Sequence, residues 1–382
     1  MTAKHLMIIA GEASGDLHAG HLVLALKAQD PSLIFSGIGG EQMRAAGVHT
    51  YADLTKIAVI GFAEVLKHYQ EFKRAFDLIL DKIETTKPAA VILVDYPGFN
   101  LRLAKEIKQR GIRVIYYISP QVWAWKKNRV KLIKQYVDRM LVLFPFEKTF
   151  YEKMGVPVDF VGNPLVDTVQ AVTTKAEFLA SVGMTDYQFT VGLLPGSRPQ
   201  EIERHLPTML AAARRLAEEF PMLQFLVIKA PTIALPAIEK YTTTLPAMRL
   251  KIIQTNTYDA INACDVCCVA SGTATLETAL LLKPMIVIYK TSWLTWALAK
   301  CVIRIPNIAL VNVVAEQRVV PELLQHNANP GRIARELKSI LTDDERMEKI
   351  TEELRAVREK LGEGKASQKA AQTILNLLIN TA

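Results

Sequence analysis

Cysteine is scarce in this chain, and what there is forms no framework. Of the four cysteines, Cys264, Cys267 and Cys268 crowd one segment and Cys301 stands apart. No second ligand pair follows Cys264-x-x-Cys267, so a disulfide scaffold and a two-pair zinc site are both excluded. Asp265-Val266-Cys267-Cys268-Val269-Ala270 reads as an apolar strand in which reduced thiols act as small hydrophobes. Long apolar runs are missing too: none approaches the roughly 18 residues of a membrane-spanning helix. The amino-terminal residues lack a signal-peptide pattern, since Lys4-His5 precede only a short apolar strand. These two absences lead to the expectation of a cytoplasmic protein. Also absent is a Gly-x-Gly-x-x-Gly fingerprint. Gly11-Glu12-Ala13-Ser14-Gly15-Asp16 and Gly37-Ile38-Gly39-Gly40 both miss it, which removes the dehydrogenase reading. The net charge of +8 favours anionic partners. Without Arg/Gly-rich or basic-aromatic segments, nucleic acid is the poorest candidate among nucleotides, phospholipid surfaces and nucleic acid.

Apolar residues are plentiful: 50% of 382 residues are hydrophobic and 22% charged, a globular composition long enough for two cores. Short apolar runs alternate with amphipathic ones, the pattern of parallel sheets covered by helices. Leu6–Ala10, Ala90–Val94 and Arg139–Phe144 read as strands, and Phe62–Thr85 as a long helix. The pattern restarts after a boundary in Gly162–Gly183, with strands at Phe189–Leu194 and Asp265–Ala270. The division expected is 1–165 and 183–345, two Rossmann-like domains facing across a cleft, followed by a helical segment 346–382. Its last helix, Ser367–Leu378, can return to the first domain or cross to a partner chain. A homodimer therefore stays open.

Polar residues at the strand ends are the candidates for chemistry. Thr190-Val191-Gly192-Leu193-Leu194 runs into Pro195-Gly196-Ser197-Arg198 and then a helix carrying Glu201. Such a turn makes an anion site, because free N–H groups, the positive end of the helix dipole and one guanidinium converge there. Ala270-Ser271-Gly272-Thr273-Ala274-Thr275-Leu276-Glu277 repeats the device, with Glu277 one turn in to accept from ribose hydroxyls. In the first half, Glu12, Ser14 and Asp16 lie after the first strand, as substrate contacts or as helix caps. Asp95 ends the apolar run Val91–Val94, either as a desolvated base or as a ligand of the Pro97-Gly98 turn. Trp123 and Trp125 follow another strand, as pocket walls or as a packed pair. Ile57, Val59, Ile60 and Phe62 form either core or an apolar patch for an acyl chain or an anionic membrane surface.

Taken together, Gly11-Glu12-Ala13-Ser14-Gly15-Asp16, Asp95-x-Pro97-x-Phe99-Asn100, Ser119-Pro120-x-Val122-Trp123-Ala124-Trp125, Pro145-Phe146-Glu147, Leu194-Pro195-Gly196-Ser197-Arg198-x-x-Glu201 and Ala270-Ser271-Gly272-Thr273-Ala274-x-Leu276-Glu277 resemble, in order and over essentially the whole chain, the lipid-A-disaccharide synthase family. The resemblance implies an inverting GT-B glycosyltransferase that moves 2,3-diacylglucosamine from UDP to the 6-hydroxyl of 2,3-diacylglucosamine 1-phosphate (lipid X). The products are a β-1,6 disaccharide and UDP. It implies no metal and no other cofactor, and peripheral attachment to the inner membrane. It makes Asp95 the general base, and puts the donor on Arg198, Glu201, Ser271, Gly272, Thr273, Thr275, Glu277 and Asn312. The acceptor falls to Glu12, Ser14, Asp16, Asn100, Trp123 and Trp125. Three positions depart from the family's pattern: Val311 replaces a proline beside Asn312, Asn163 stands where His is common, and Gly98 replaces a second Asp of some members. The alternative is another GT-B enzyme acting on UDP-GlcNAc, an epimerase or a muramyl-lipid transferase.

Overall fold

The computed structural model describes residues 4–55, 69–123, 129–186, 189–243, 248–293, 296 and 306–379. Within them the chain divides into two compact units, 1–164 with 363–382 and 165–362. The first unit holds a seven-stranded sheet: β1 (His5–Ala10), β2 (Ile34–Ile38), β3 (His49–Ala52), β4 (Ala90–Val94), β5 (Arg113–Tyr117), β6 (Arg139–Val142) and β7 (Val158–Phe160). Its order is β3-β2-β1-β4-β5-β6-β7, and every pairing is parallel, with Ile8 opposite Gly37 on one side and Ile92 on the other. The second unit holds six: β8 (Thr190–Leu194), β9 (Gln224–Ile228), β10 (Arg249–Ile253), β11 (Val266–Ala270), β12 (Met285–Tyr289) and β13 (Glu322–Leu324), in the order β10-β9-β8-β11-β12-β13, again all parallel.

Alternation along β1 shows why both faces of the first sheet are covered. Leu6, Ile8 and Ala10 enter one core cluster, while Met7 and Ile9 enter the other. The first cluster takes in Leu22 and Leu26 of the helix Ala13–Gln29. It also takes in Ala370, Ala371, Ile374 and Leu378 of the helix Ala366–Ile379. The last helix thus returns to the first unit of its own chain. Lys4 Nζ donates to the Leu378 carbonyl at 3.1 Å, and the Arg113 guanidinium donates to that of Leu377. Burying Ile374 and Leu378 contributes roughly 1.5–3 kcal/mol each. The residues 346–382, read from sequence as one segment, belong to both units: helix Asp344–Lys360 lies in the second, and the chain changes unit at Gly362/Glu363.

In each sheet the strand order reverses once, between β1 and β4 and between β8 and β11. In doubly wound sheets ligands bind outside the strand C-termini at such a reversal. The turns carrying Glu12 and Asp95 leave one of these points, and those carrying Arg198 and Ser271 leave the other. The reading of β11 as a strand with inert thiols agrees with the structure. Cys264, Cys267 and Cys268 are buried and form no disulfide, and burial pushes the Cys264 and Cys268 thiols up. The long helix expected from Phe62 is described over Tyr69–Thr86. The patch Ile57, Val59, Ile60 and Phe62 lies outside the described residues, as does Trp125.

Candidate active site

Asp95 leaves β4 in a conformation that side chains other than glycine seldom adopt: φ is 45° at Asp95 and 48° at Tyr96. Two consecutive left-handed residues persist only where their surroundings hold them. Here the Asp95 N–H donates to the Tyr117 carbonyl at 3.0 Å. The Asp95 carbonyl accepts from the Tyr116 hydroxyl at 2.6 Å and from Asn100 Nδ2 at 2.8 Å, and Asn100 also donates to the Val94 carbonyl at 3.1 Å. Gly11 completes the fit, because a Cβ there would lie 2.3 Å from Cδ1 of the Tyr96 ring. Burial, and next the negative charge of Glu12, push the Asp95 carboxyl up to about 6, against the Tyr96 N–H, which lowers it. The result is a carboxylate with raised basicity on a rigid turn, the state that suits a proton acceptor near neutral pH.

The residues expected around the acceptor separate into different roles. Ser14 is exposed and Glu12 half-buried at the exit of β1. Asp16 is buried, and its carboxylate accepts from the N–H groups of Gly40 at 2.7 Å, Gln42 at 2.9 Å and Met43 at 3.2 Å. It caps the helix Glu41–Ala45, so most of its acceptor capacity is used inside the fold. Asn100, fully buried, clamps the Asp95 turn from behind. Trp123 is half-buried; its indole Nε1 donates to Glu147 Oε1 at 3.1 Å, and its ring meets Phe146 edge-on at 4.9 Å. Glu147 opens the helix Pro145–Lys153, accepts the Phe144 N–H at 3.2 Å, and burial pushes its carboxyl up to about 8. The sequence motif Pro145-Phe146-Glu147 by itself assigns Glu147 no role. The available signal was a Glu in the first turn of a helix opened by Pro145.

In the second unit, the turns after β8 and β11 border one cavity of about 630 Å³. Arg198, Glu201, Ser271, Gly272, Thr273 and Glu277 line it, with Gly196, Ser197 and Tyr258 among the additional walls. Gly196 has φ of 123°, and a Cβ on it would stand 2.5 Å from Glu201 Oε2. That oxygen accepts from the Ser197 N–H at 2.8 Å and the Arg198 N–H at 3.2 Å, so Glu201 shapes the turn. The Arg198 guanidinium lies 3.5 Å from Glu201 with 80% of its side chain exposed. It opens the helix Pro199–Glu219 and has room to reorient onto an anion. Glu277 accepts from the Tyr258 hydroxyl at 3.3 Å, and burial pushes its carboxyl up.

Two expected donor residues lie elsewhere. Thr275 is fully buried and donates to the Gly272 carbonyl at 2.8 Å, inside the turn. Asn312 is also fully buried: Nδ2 donates to the Val320 carbonyl and Glu322 Oε1, while Oδ1 accepts from the Val319 and Val320 N–H groups. With those four bonds made, its amide is saturated. Among the described residues, no group of three or more His, Cys, Asp or Glu is arranged to hold a metal ion, and no helix is long and apolar enough to cross a membrane.

The family model for lipid-A-disaccharide synthetase matches residues 6–376. A lipid-A-disaccharide synthase from Geobacter metallireducens is 45% identical over 375 residues, covering 98% of this chain and 97% of the relative. Lipid-A-disaccharide synthase 1 of Legionella pneumophila is 44% identical over 365 residues, 95% of each chain. Among solved structures, UDP-GlcNAc 2-epimerase from Neisseria meningitidis bound to UDP-GlcNAc superposes with a TM-score of 0.65 at 14% identity, over 98% of this chain and 100% of that one. A calicheamicin glycosyltransferase superposes with a TM-score of 0.63 at 13% identity over 100% of both. At such identities a likeness carries the fold alone: GT-B, with two Rossmann-like domains. The family match over nearly the full length and the 45% identity of full-length relatives go further, and the chain belongs to the lipid-A-disaccharide synthase family.

Proposed function

We propose that this glycosyltransferase moves 2,3-diacylglucosamine from UDP to the 6-hydroxyl of 2,3-diacylglucosamine 1-phosphate, with Asp95 as base and the second-unit cavity as the UDP site. The observation that carries the site assignment is the cavity itself. Two strand-end turns meet there at the reversal of the sheet, with an exposed guanidinium and a desolvated carboxyl among its walls. The exposed Arg198 guanidinium suits the diphosphate, since the Ser197 and Arg198 N–H groups are taken by Glu201. Glu277, oriented by Tyr258, suits the ribose hydroxyls.

The chemistry balances without a further reactant. The acceptor's 6-oxygen forms a bond to the anomeric carbon from the face opposite UDP. The bond from that carbon to the phosphate oxygen breaks, UDP leaves with the electron pair, and the hydroxyl proton passes to Asp95. The transition state has oxocarbenium character, as in glycoside hydrolysis. Charge grows on the departing diphosphate, where the Arg198 guanidinium, once turned onto it, stabilises it. An epimerase reading rests only on a fold shared at 14% identity. Purified protein supplied with diacylated UDP-glucosamine and lipid X in detergent should yield the disaccharide and one equivalent of UDP, read by mass. Release of UDP without disaccharide would refute the acceptor assignment.

We also propose peripheral attachment to the inner-membrane surface, supported by the net charge of +8 and by the apolar residues Ile57, Val59, Ile60 and Phe62 flanked by Lys56 and Lys67. Replacing these four apolar residues with Ser should move the protein from sedimenting anionic vesicles to the supernatant. Unchanged partitioning would place the patch in the core instead.

A further inference from the structure

We infer that His205 is a positioning residue for the donor: its buried imidazole ties the Pro195 carbonyl to the Lys290 N–H and so holds the two turns of the cavity in register. His205 lies in the helix Pro199–Glu219 and has no exposed surface. Nδ1 is 3.0 Å from the Pro195 carbonyl, and Nε2 is 3.0 Å from the Lys290 nitrogen. A backbone N–H can only donate, so Nε2 offers its lone pair to Lys290. Nδ1 then carries the proton and donates to Pro195, which fixes a neutral ring in one tautomer.

What the ring connects gives it a role. Pro195 directly follows β8 and begins the turn bearing Gly196, Ser197 and Arg198. Lys290 directly follows β12, which is not a neighbour of β8; β11 lies between them. The turn leaving β11 is itself fastened to β12, where the Ser271 N–H donates to the Ile288 carbonyl at 2.9 Å. The path from one turn to the other therefore runs Pro195, His205, Lys290, β12, Ser271. Lys290 is held to the same helix a second time, its Nζ donating to Thr208 Oγ1 at 3.0 Å. Ordinary helix packing needs only an apolar residue at position 205, between Ile202 and Leu206 on the buried face. A ring with both nitrogens engaged does more, since it fixes a distance between strand ends.

The inference rests on the reading of the cavity as the UDP site, and the test separates the two. Titration of UDP and of uridine into the wild type, His205→Leu, His205→Gln and His205→Asn is read by calorimetry, with a thermal melt of each. His205→Leu keeps the apolar bulk and loses both hydrogen bonds. Its UDP affinity should fall about tenfold or more, the size of one to two ordinary net hydrogen bonds, while uridine affinity stays within about twofold. In turnover the donor KM should rise by the same factor, with kcat at saturating donor and the acceptor KM held. Gln can still accept from Lys290 and Asn can still donate to Pro195, so each should recover part of the loss; they also serve if the Leu variant does not fold. Equal weakening of UDP and uridine, or no weakening of either in the three variants, overturns the positioning role. A wild type that binds no UDP overturns the cavity assignment itself.

Discussion

Asp95→Asn is expected to lower turnover by roughly 10²–10⁴-fold, the contribution of a well-placed general base, with UDP affinity unchanged because the cavity assigned to UDP lies in the other unit. The amide keeps the shape of the side chain and leaves the strained backbone bonds to Tyr116, Tyr117 and Asn100 in place. The sign of the pH dependence follows from the direction of the shift. A base must be ionised, and Asp95 is pushed up to about 6, so kcat/KM should fall about tenfold per pH unit below that value and level off above it. Glu12→Gln removes one of the two causes and leaves burial, so the acid limb should move to lower pH without disappearing. The same shift acts on stability. Unfolded, the carboxyl ionises near 3.8; folded, it ionises near 6. The folded state is therefore penalised progressively between those values and fully above them, by at most about 3 kcal/mol for a group that keeps some solvent contact. Asp95→Asn should then melt higher than the wild type at pH 8 and lose that advantage below pH 4. A flat activity profile between pH 5 and 7, or an active Asn variant, would sink the assignment of Asp95 as base.

That contrast between chemistry and stability was only partly legible in the sequence. A carboxylate ending the apolar run Val91–Val94 marked Asp95 as desolvated, because the period of the run locates the strand end. The Glu12 charge that adds to the shift comes from the turn after β1, more than 80 positions away in sequence. Spacing carries no such information; the β1–β4 pairing does. Asp16 and Thr275 read as binding residues because a polar residue near a strand end reads alike whether it points outward or back under the turn, whereas Asn100 and Asn312 join the sites through the family resemblance alone. In the structure all four are buried, and each makes internal hydrogen bonds, although Asn100 does so through Nδ2 alone. His205 gave no signal at all, since its partner Lys290 is 85 residues on and a lone histidine on an amphipathic helix is ordinary. The strands β7 and β13, three residues each, are too short to show a period, and pairing with β6 and β12 defines them. The two sheets themselves were readable because parallel strands buried on both faces are continuous apolar runs.

Arg198→Ala is expected to cost kcat/KM roughly 10²–10³-fold, about 3–4 kcal/mol of transition-state stabilisation, the typical effect of removing one preorganised donor from developing negative charge. Its stability should hardly change. In the free enzyme the guanidinium is 80% exposed and meets Glu201 only at 3.5 Å, a surface pair of little net worth. The turn keeps its shape without the side chain, because Glu201 holds the Ser197 and Arg198 N–H groups rather than depending on the guanidinium. Loss of activity at an unchanged melting temperature is thus the signature of a residue that works on the leaving group. Lys at 198 should recover only part of the rate, since a point charge cannot fork onto two phosphate oxygens. Gly196→Ala should produce the opposite pairing. A side chain at φ of 123°, with its Cβ 2.5 Å from Glu201 Oε2, must push that carboxylate off the turn, so activity and melting temperature should fall together. If Arg198→Ala instead lowers the melting temperature as much as Gly196→Ala does, the guanidinium is a structural part of the turn and not the group that holds the diphosphate.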